Sequence, residues 1–143
     1  MILLDVNILL YASNRAAPQH RAMKNWLNKL FSESELIGLT WPTIWAFLRI
    51  ASDRRLRILP TASSSEAFGV VNEWLAQPGV LLVEPGRRHL QILERCVIDG
   101  QAGGPMLSDA VLAALAIENS ATLASTDKDF SRFSGLRWIN PLQ

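Results

Sequence analysis

Residues 108–130 read SDAVLAALAIENSATLASTDKDF, and this stretch predicts the fold. Its first half, Ala110–Ile117, is apolar on every side, which is typical of a helix buried in the interior. Ser108 stands just before the apolar residues and is predicted to be the N-cap of that helix. Thr122–Ser125 reads as a short buried strand that ends in polar residues. A buried helix followed at once by a buried strand favours an α/β arrangement.

The rest of the chain alternates in the same way. Short apolar runs predict buried strands, and apolar residues spaced i, i+3, i+4 predict helices. The predicted strands are Met1–Leu4, Leu36–Leu39, Val80–Val83, Thr122–Ser125 and, less distinct, Leu136–Ile139; the predicted helices carry Met23–Phe31, Ile44–Ala51, Ala67–Leu75, Leu90–Val97 and Ala110–Ile117. This alternation predicts an α/β fold for residues 1–143 as a single domain, with a mainly parallel sheet of about four to five strands flanked by helices.

Composition limits the class of protein. The chain has 143 residues, 49% of them hydrophobic and 19% charged, which indicates one folded domain and excludes intrinsic disorder. The net charge of +1 does not by itself indicate a nucleic-acid binder, although eleven of the fourteen basic residues are arginines, which suit phosphate contacts. Cys96 is the single cysteine, so no internal disulfide forms. With no signal-peptide pattern and no apolar run long enough for a bilayer, we expect a cytoplasmic protein without membrane contact.

Four carboxylates fall where ligands of a parallel sheet usually bind. Asp5 follows the first predicted strand, Asp127 and Asp129 follow the fourth, and Asp109 lies in the first turn of the buried helix. If the first and fourth strands are neighbours, these acids meet outside the carboxyl ends of the strands. Carboxylates this close repel one another, and a hard divalent cation such as Mg²⁺ or Mn²⁺ removes that cost. No cluster of His and Cys favours zinc.

Each acid also has a structural interpretation. Asp109 is in a first turn, where the helix dipole favours acidic residues. Asp127 and Asp129 have the spacing of turn residues that bond their own backbone. Asp5 is harder to explain this way because the sequence predicts no helix beside it, although a turn role also remains open. The four together are more specific than any one alone.

Two stretches resemble the PIN-domain family, and particularly its VapC toxins. Asp5-Val6-Asn7 after an amino-terminal strand is similar to the family's opening motif, and residues 108–116 with 121–130 resemble its carboxyl-terminal half. The resemblance extends along essentially the whole chain. It implies that Asp5, Asp109 and Asp127 bind metal, that Asp129 is an additional acidic catalytic position, and that Asn7 and Thr126 are polar positions around the metal.

One position departs from that family. Its fourth acid is usually a glutamate that opens the helix after the second strand, in a Glu-Leu-Leu-Arg-like stretch. Here that stretch is Ala46-Phe47-Leu48-Arg49, so the matching residue is Ala46, which cannot bind metal. Asp53 is seven residues further on, about 10 Å along a helix, which is too far for a simple replacement.

The resemblance implies a function and leaves rivals open. It implies a Mg²⁺- or Mn²⁺-dependent endoribonuclease, the toxin of a VapBC-type toxin–antitoxin pair, which hydrolyses structured RNA (tRNA or rRNA), binds a cognate VapB-type antitoxin and forms a homodimer. Ala46 favours instead a catalytically degenerate PIN module that binds RNA or a partner protein. A phosphoryl-transfer enzyme with Asp5 as its nucleophile is the third interpretation, but Asn7 replaces the second acid and only Lys128 could serve as its lysine.

Basic residues after the second helix-forming stretch are candidates for RNA contact. Arg54 and Arg55 belong to the densest basic segment and are predicted to contact phosphate, with a solvated helix end as the alternative. Arg49 lies among apolar residues, where pairing with a carboxylate of the site is a further interpretation. His20 and His89 have no ligand-like spacing and are expected at the surface.

Overall fold

The computed structural model describes residues 1–143 as a parallel sheet with helices on both faces. Each of the first four strands leads into a helix or a short helical turn, and the order along the chain is β1 (Ile2–Leu4), α1 (Val6–Ser13), α2 (His20–Ser32), β2 (Ile37–Thr40), α3 (Trp41–Ala51), α4 (Ser64–Leu75), β3 (Val80–Val83), α5 (His89–Asp99), α6 (Leu107–Glu118), β4 (Thr122–Ala124) and β5 (Arg137–Ile139). All five predicted strands are present, each within one residue of its predicted bounds, and the α/β class is confirmed.

The sheet has the strand order β3-β2-β1-β4-β5, and every pair of neighbours is parallel. The central strand β1 pairs with β4 over its whole length, from Ile2 opposite Thr122 to Leu4 opposite Ala124. From β1 the chain builds β2 and β3 on one side and later β4 and β5 on the other. The direction of strand addition therefore reverses between β1 and β4, which is where open α/β sheets bind their ligands.

Each face of the sheet has its own hydrophobic core. Leu4 points to the face covered by α1 to α4, whose core includes Phe47, and Leu3 points to the face covered by α5 and α6. This alternation is the two-residue period of a strand that is buried on both sides. None of the six helices has the length and apolarity needed to cross a bilayer.

Two local predictions were wrong. A helix, α1, begins at Val6 directly after β1, and Asp5 is its N-cap, with the side chain accepting from the backbone N–H of Val6. Nearly continuous apolar residues over Val6–Leu10 conceal the helical period, so the sequence did not reveal this element. Helix α6 begins two residues earlier than expected, its N-cap is Met106, and Ser108 therefore lies within its first turn.

Gly38 in β2 occupies a place where a side chain does not fit. A Cβ there would collide with the Leu3 side chain and come within 2.9 Å of the Val83 Cγ2 methyl group. We expect Gly38→Ala to lower the free energy of unfolding by about 1–3 kcal/mol because the packed core must shift. Urea denaturation measures this change.

A matched control for that substitution is Gly69→Ala in α4, where an added Cβ meets nothing within 4 Å. Alanine is the better helix former, so this variant should be more stable by about 0.5–1 kcal/mol. Equal midpoints for the two variants would contradict the packing argument at Gly38.

Candidate active site

The predicted acids meet at the carboxyl ends of β1 and β4. Asp5 directly follows β1, and the segment that begins at Ser125 directly follows β4. Asp109 is in the first turn of α6, the helix that leads into β4. The neighbouring positions of β1 and β4, on which the predicted convergence depended, are confirmed by the strand pairing.

Ser125 joins the two sides of this site. Its hydroxyl, which is fully buried, donates to Asp5 Oδ2 at 2.6 Å and accepts from Asn7 Nδ2 at 3.1 Å and from the backbone N–H of Asp127 at 3.0 Å. A hydroxyl has one donor and two acceptor lone pairs, so these three bonds saturate it. The orientation of the Asp5 carboxylate is thus tied to the loop that carries Asp127.

Asp5 is held by three hydrogen bonds. Besides Ser125, its carboxylate accepts from the backbone N–H of Val6 at 2.7 Å and from Asn7 Nδ2 at 2.9 Å. The other end of the Asn7 amide accepts from the backbone N–H of Thr126 at 3.3 Å. Asn7 therefore positions both the first acid and the loop after β4, while Thr126 takes part through its backbone.

The loop after β4 begins a short helical turn, Lys128–Arg132, and has both properties that the sequence suggested for it. Asp127 caps the turn by accepting from the backbone N–H of Asp129 at 2.9 Å, as its turn interpretation expects. The same carboxylate acts electrostatically on Asp5 and Asp109. A turn role and a place in the acid cluster are therefore compatible.

The carboxylates of the cluster act on one another electrostatically. Burial raises the pKa of Asp5, hydrogen bonds from Ser125, Val6 and Asn7 lower it, and the Asp127 carboxylate raises it, with a net rise. Burial also raises the pKa of Asp109, and the negative charges of Asp127, Asp5 and Asp129 raise it further, against a smaller opposing effect of Arg132. Negative charge thus accumulates here without full compensation.

No basic side chain forms an ion pair with any of the four acids, since the three ion pairs of the structure involve other residues. Oxygen donors around uncompensated charge fit a hard divalent cation. No group of three or more His, Cys, Asp or Glu side chains is placed to hold an ion directly. An ion bound among these acids would therefore have to keep water among its ligands, as Mg²⁺ usually does in proteins.

A cleft of about 210 Å³ opens beside Asp5 and Asp109. Ala46 and Arg49 of α3 line it, one helical turn apart. The position at which the resemblance expects a glutamate therefore faces the acid cluster, and the methyl group of Ala46 leaves room there. Asp53 does not replace it, because its carboxylate bonds the Arg55 guanidinium at 2.9 and 3.1 Å.

Three residues of the site were not predicted in these roles. Ser125 was predicted only as the end of a strand, although a polar residue at the end of a buried strand is a usable signal. Arg49 lines the cleft but forms no ion pair with an acid, so the predicted pairing is not observed. Arg132 donates to the backbone oxygens of Gly100 and Gln101 and so ties the loop before α6 to the turn after β4. No local pattern marks that long-range contact.

The two histidines lie outside the acid cluster. His20 Nδ1 is 2.9 Å from the backbone oxygen of Tyr11 and remains partly exposed. The surface prediction is wrong for His89, whose side chain is only 14% exposed and lies 3.4 Å from the Glu118 carboxylate. These partners stand at opposite ends of a segment made of two helices and the loop between them, so their contact could not be read from spacing.

Comparison with known proteins agrees with this geometry. The sequence pattern of the PIN domain matches residues 2–136. The chain belongs to the PIN-domain family. The match spans both stretches that carried the resemblance, residues 5–7 and 108–130.

Full-length relatives of this PIN domain are known from Mycobacterium tuberculosis. Ribonuclease VapC33 is 39% identical over 143 residues, covering 100% of this chain and 99% of the relative, and Ribonuclease VapC37 is 38% identical over 142 residues, covering 99% and 97%. Among solved structures, VapBC-1 from nontypeable Haemophilus influenzae superimposes with a TM-score of 0.73 at 16% identity, covering all of both chains. The sequence relatives place the chain among VapC-type PIN domains, and the structural likeness shows the shared fold.

Proposed function

We propose that this PIN domain is a metal-dependent endoribonuclease and the toxin of a VapBC-type toxin–antitoxin pair. One observation carries the proposal: an uncompensated cluster of four aspartates lies at the strand-order reversal of a chain that resembles ribonucleases over its full length. A PIN domain that had lost catalysis would gain no stability from carboxylates that repel one another. The cluster therefore supports retained catalysis despite Ala46.

Asp5, Asp109 and Asp127 would hold the cation, Mg²⁺ or Mn²⁺, directly or through water, with Asp129 supporting them. When bound, such an ion lowers the pKa of water and neutralises charge that develops on the attacked phosphate. The expected net reaction is hydrolysis of an RNA phosphodiester. Asp109 is expected to be the more adaptable of the ligands, since no hydrogen bond to its side chain fixes its position, in contrast to Asp5.

The chain's own residues prepare this site. Ser125 and Asn7 hold the Asp5 carboxylate in one orientation, so little reorganisation is needed when an ion or substrate arrives. Arg49 is the basic side chain that lines the cleft beside two of the acids, and it has no carboxylate partner. We propose that its guanidinium binds the phosphate to be cleaved and draws the polyanion toward the negatively charged cluster.

The proposed substrate is structured RNA, either tRNA or rRNA. Incubation of the purified, antitoxin-free chain with each RNA, with Mn²⁺ and then with a chelator, tests this directly. We expect discrete fragments from one class, and their loss when the ion is removed. Uniform degradation that resists chelation would indicate a contaminating nuclease and leave no support for a toxin-like cut.

The proposed partners are a VapB-type antitoxin and a second copy of the chain, in the cytoplasm where its RNA substrates are. Solved neighbours of this fold are VapBC complexes, which supports an antitoxin partner. For the homodimer, α3 offers an exposed aromatic pair: Trp45 is 61% exposed and stacks on Trp41 at 6.1 Å between ring centroids, whereas Phe47 belongs to the core. Exposed aromatics of this kind are enriched at protein interfaces.

A second candidate is the catalytically degenerate PIN module. Ala46 in the cleft and the lack of three directly placed ligands favour it. Such a module would bind RNA or a partner but leave RNA uncut and need not bind Mn²⁺. Cleavage and a Mn²⁺ titration together distinguish the two candidates.

A further inference from the structure

A second concave site carries positive charge and lies apart from the acid cluster. It is a pocket of about 470 Å³ between the carboxyl-terminal end of α1 and the segment that joins α3 to α4. Three arginines line it, Arg15, Arg54 and Arg57, and no acidic residue does. Three guanidinium groups around one concavity repel one another in the free protein, which an anion would relieve.

The acids near this pocket are already occupied. Asp53 binds the Arg55 guanidinium through both carboxylate oxygens, and that contact lowers the pKa of Asp53. Glu66 accepts from the backbone N–H of Thr61 at 3.0 Å and from the Thr61 hydroxyl. Arg15, Arg54 and Arg57 take part in none of the ion pairs of the structure and keep their donors free.

This pairing distinguishes the two arginines that the sequence predicted as RNA contacts. Arg55 projects into solvent with its charge compensated by Asp53, whereas Arg54 lines the pocket. Arg57, which the prediction did not include, lines it as well, from a left-handed backbone conformation with φ of 50°. Non-glycine residues in that region are uncommon.

The position of the pocket fits a polymer that also reaches the acid cluster. Helix α1 connects the two sites, with Asp5 as its N-cap and Asn14 as its C-cap next to Arg15. Eight residues at a rise of 1.5 Å give about 12 Å between the ends of the helix. Successive phosphates of a helical strand advance by roughly 3 Å along the axis, so a strand that follows α1 from the cleft would span the length of the helix in about four nucleotides.

We propose that Arg15, Arg54 and Arg57 form a phosphate-binding subsite that holds the RNA backbone a few nucleotides from the cleaved bond. Arginine forks match phosphate oxygens in two-point contacts, which suits a subsite that positions the strand without reading its sequence. The inference rests on the proposed ribonuclease function, since it names how the same substrate is held. Its test measures binding and does not need cleavage.

The test compares two double variants with the same change in charge, both in an Asp109→Asn background so that the RNA stays intact. Arg54→Ala with Arg57→Ala removes two arginines of the pocket, and Arg87→Ala with Arg88→Ala removes two exposed arginines elsewhere. The probe is fluorescently labelled bulk tRNA, titrated from 50 to 200 mM KCl, a range chosen around the salt dependence of phosphate contacts.

For the pocket variant we expect weaker binding and a plot of log affinity against log salt that is shallower by about 1.4 to 1.8, from roughly 0.7 to 0.9 per lost phosphate contact. The Arg87/Arg88 control should keep the slope of its parent. Equal slopes for the two variants, or an unchanged slope for the pocket variant, would overturn the proposal. Circular dichroism confirms that both variants are folded.

Further outcomes distinguish the proposed RNA subsite from a role in antitoxin binding and from the proposed catalytic function. If the pocket variant keeps its RNA affinity but loses affinity for the cognate antitoxin, the arginines serve the protein partner and the proposal is wrong. If the unmodified chain never cuts RNA but the slope changes as expected, the subsite stands and the catalytic function fails. If the unmodified chain cuts RNA but the pocket variant keeps the slope of its parent, the catalytic function stands and the subsite proposal is wrong.

Discussion

Asp109→Asn is expected to abolish RNA cleavage and, in the absence of divalent ions, to raise the melting temperature. The pKa of Asp109 is raised in the fold by burial and by the neighbouring carboxylates. When the pKa of an acid is raised in the folded state, the protein loses stability as the pH rises from the ordinary pKa of that acid, about 3.9, through the raised value. At neutral pH the ionised carboxylate therefore opposes folding, and a neutral amide of the same shape removes that opposition.

A divalent ion should reverse the order of the two melting temperatures, so that the unmodified chain melts above the Asp109→Asn variant. Binding to the folded chain stabilises it by about 2.7 kcal/mol at a hundredfold excess over the dissociation constant, and the variant lacks a ligand for this. Differential scanning fluorimetry with and without Mn²⁺ measures both effects. Asp53→Asn is the control, since it neutralises an acid whose pKa is lowered by Arg55 and should leave the Mn²⁺ response intact. An equal Mn²⁺ response in the Asp109 variant would contradict the metal site.

Arg49→Ala is expected to lower kcat/KM for RNA by about 10²–10³-fold, the cost of losing one charged donor to a transition state. The unpaired guanidinium lines the cleft beside Asp5 and Asp109, and nothing else in that lining is basic. Arg49→Lys keeps the charge without the fork and should recover part of the loss. Initial rates over a range of RNA concentrations give the split between kcat and KM.

A purely structural role for Arg49 has a different signature. If the guanidinium only compensates the acids, its removal should lower the melting temperature and should weaken RNA cleavage no more than that loss of stability explains. A variant with the original kcat/KM and a lower melting temperature would contradict phosphate binding.

The elements that the sequence predicted well are those whose burial is nearly complete. The β1 and β4 strands appear as short unbroken apolar runs because helices cover both faces of the sheet. Helix α1 escaped prediction for a related reason: its residues are apolar at almost every position, which hides the 3.6-residue period. The polar residue that begins it, Asp5, serves as both cap and site acid, and only the structure reveals the first role.

The candidate site was predicted to the extent that it depends on strand order. Once β1 and β4 are neighbours, Asp5 and Asp127 must meet at one edge, and residue type alone then indicates a cation. The contacts of Ser125 and Arg49 could not be derived, because they depend on contacts across more than 40 residues of chain. Arg54 and Arg55 are adjacent in sequence but differ in role, because the local ion pair with Asp53 involves only Arg55.

The most direct test of a metal-dependent ribonuclease at this site compares the unmodified chain with Asp5→Asn on total bacterial RNA, with Mg²⁺ or Mn²⁺. Asparagine is an equally good N-cap, so the start of α1 should survive the change. We expect discrete, metal-dependent fragments from the unmodified chain and none from the variant. Full cleavage by folded Asp5→Asn protein, or no cleavage by the folded, antitoxin-free unmodified chain with either ion, would contradict the assignment.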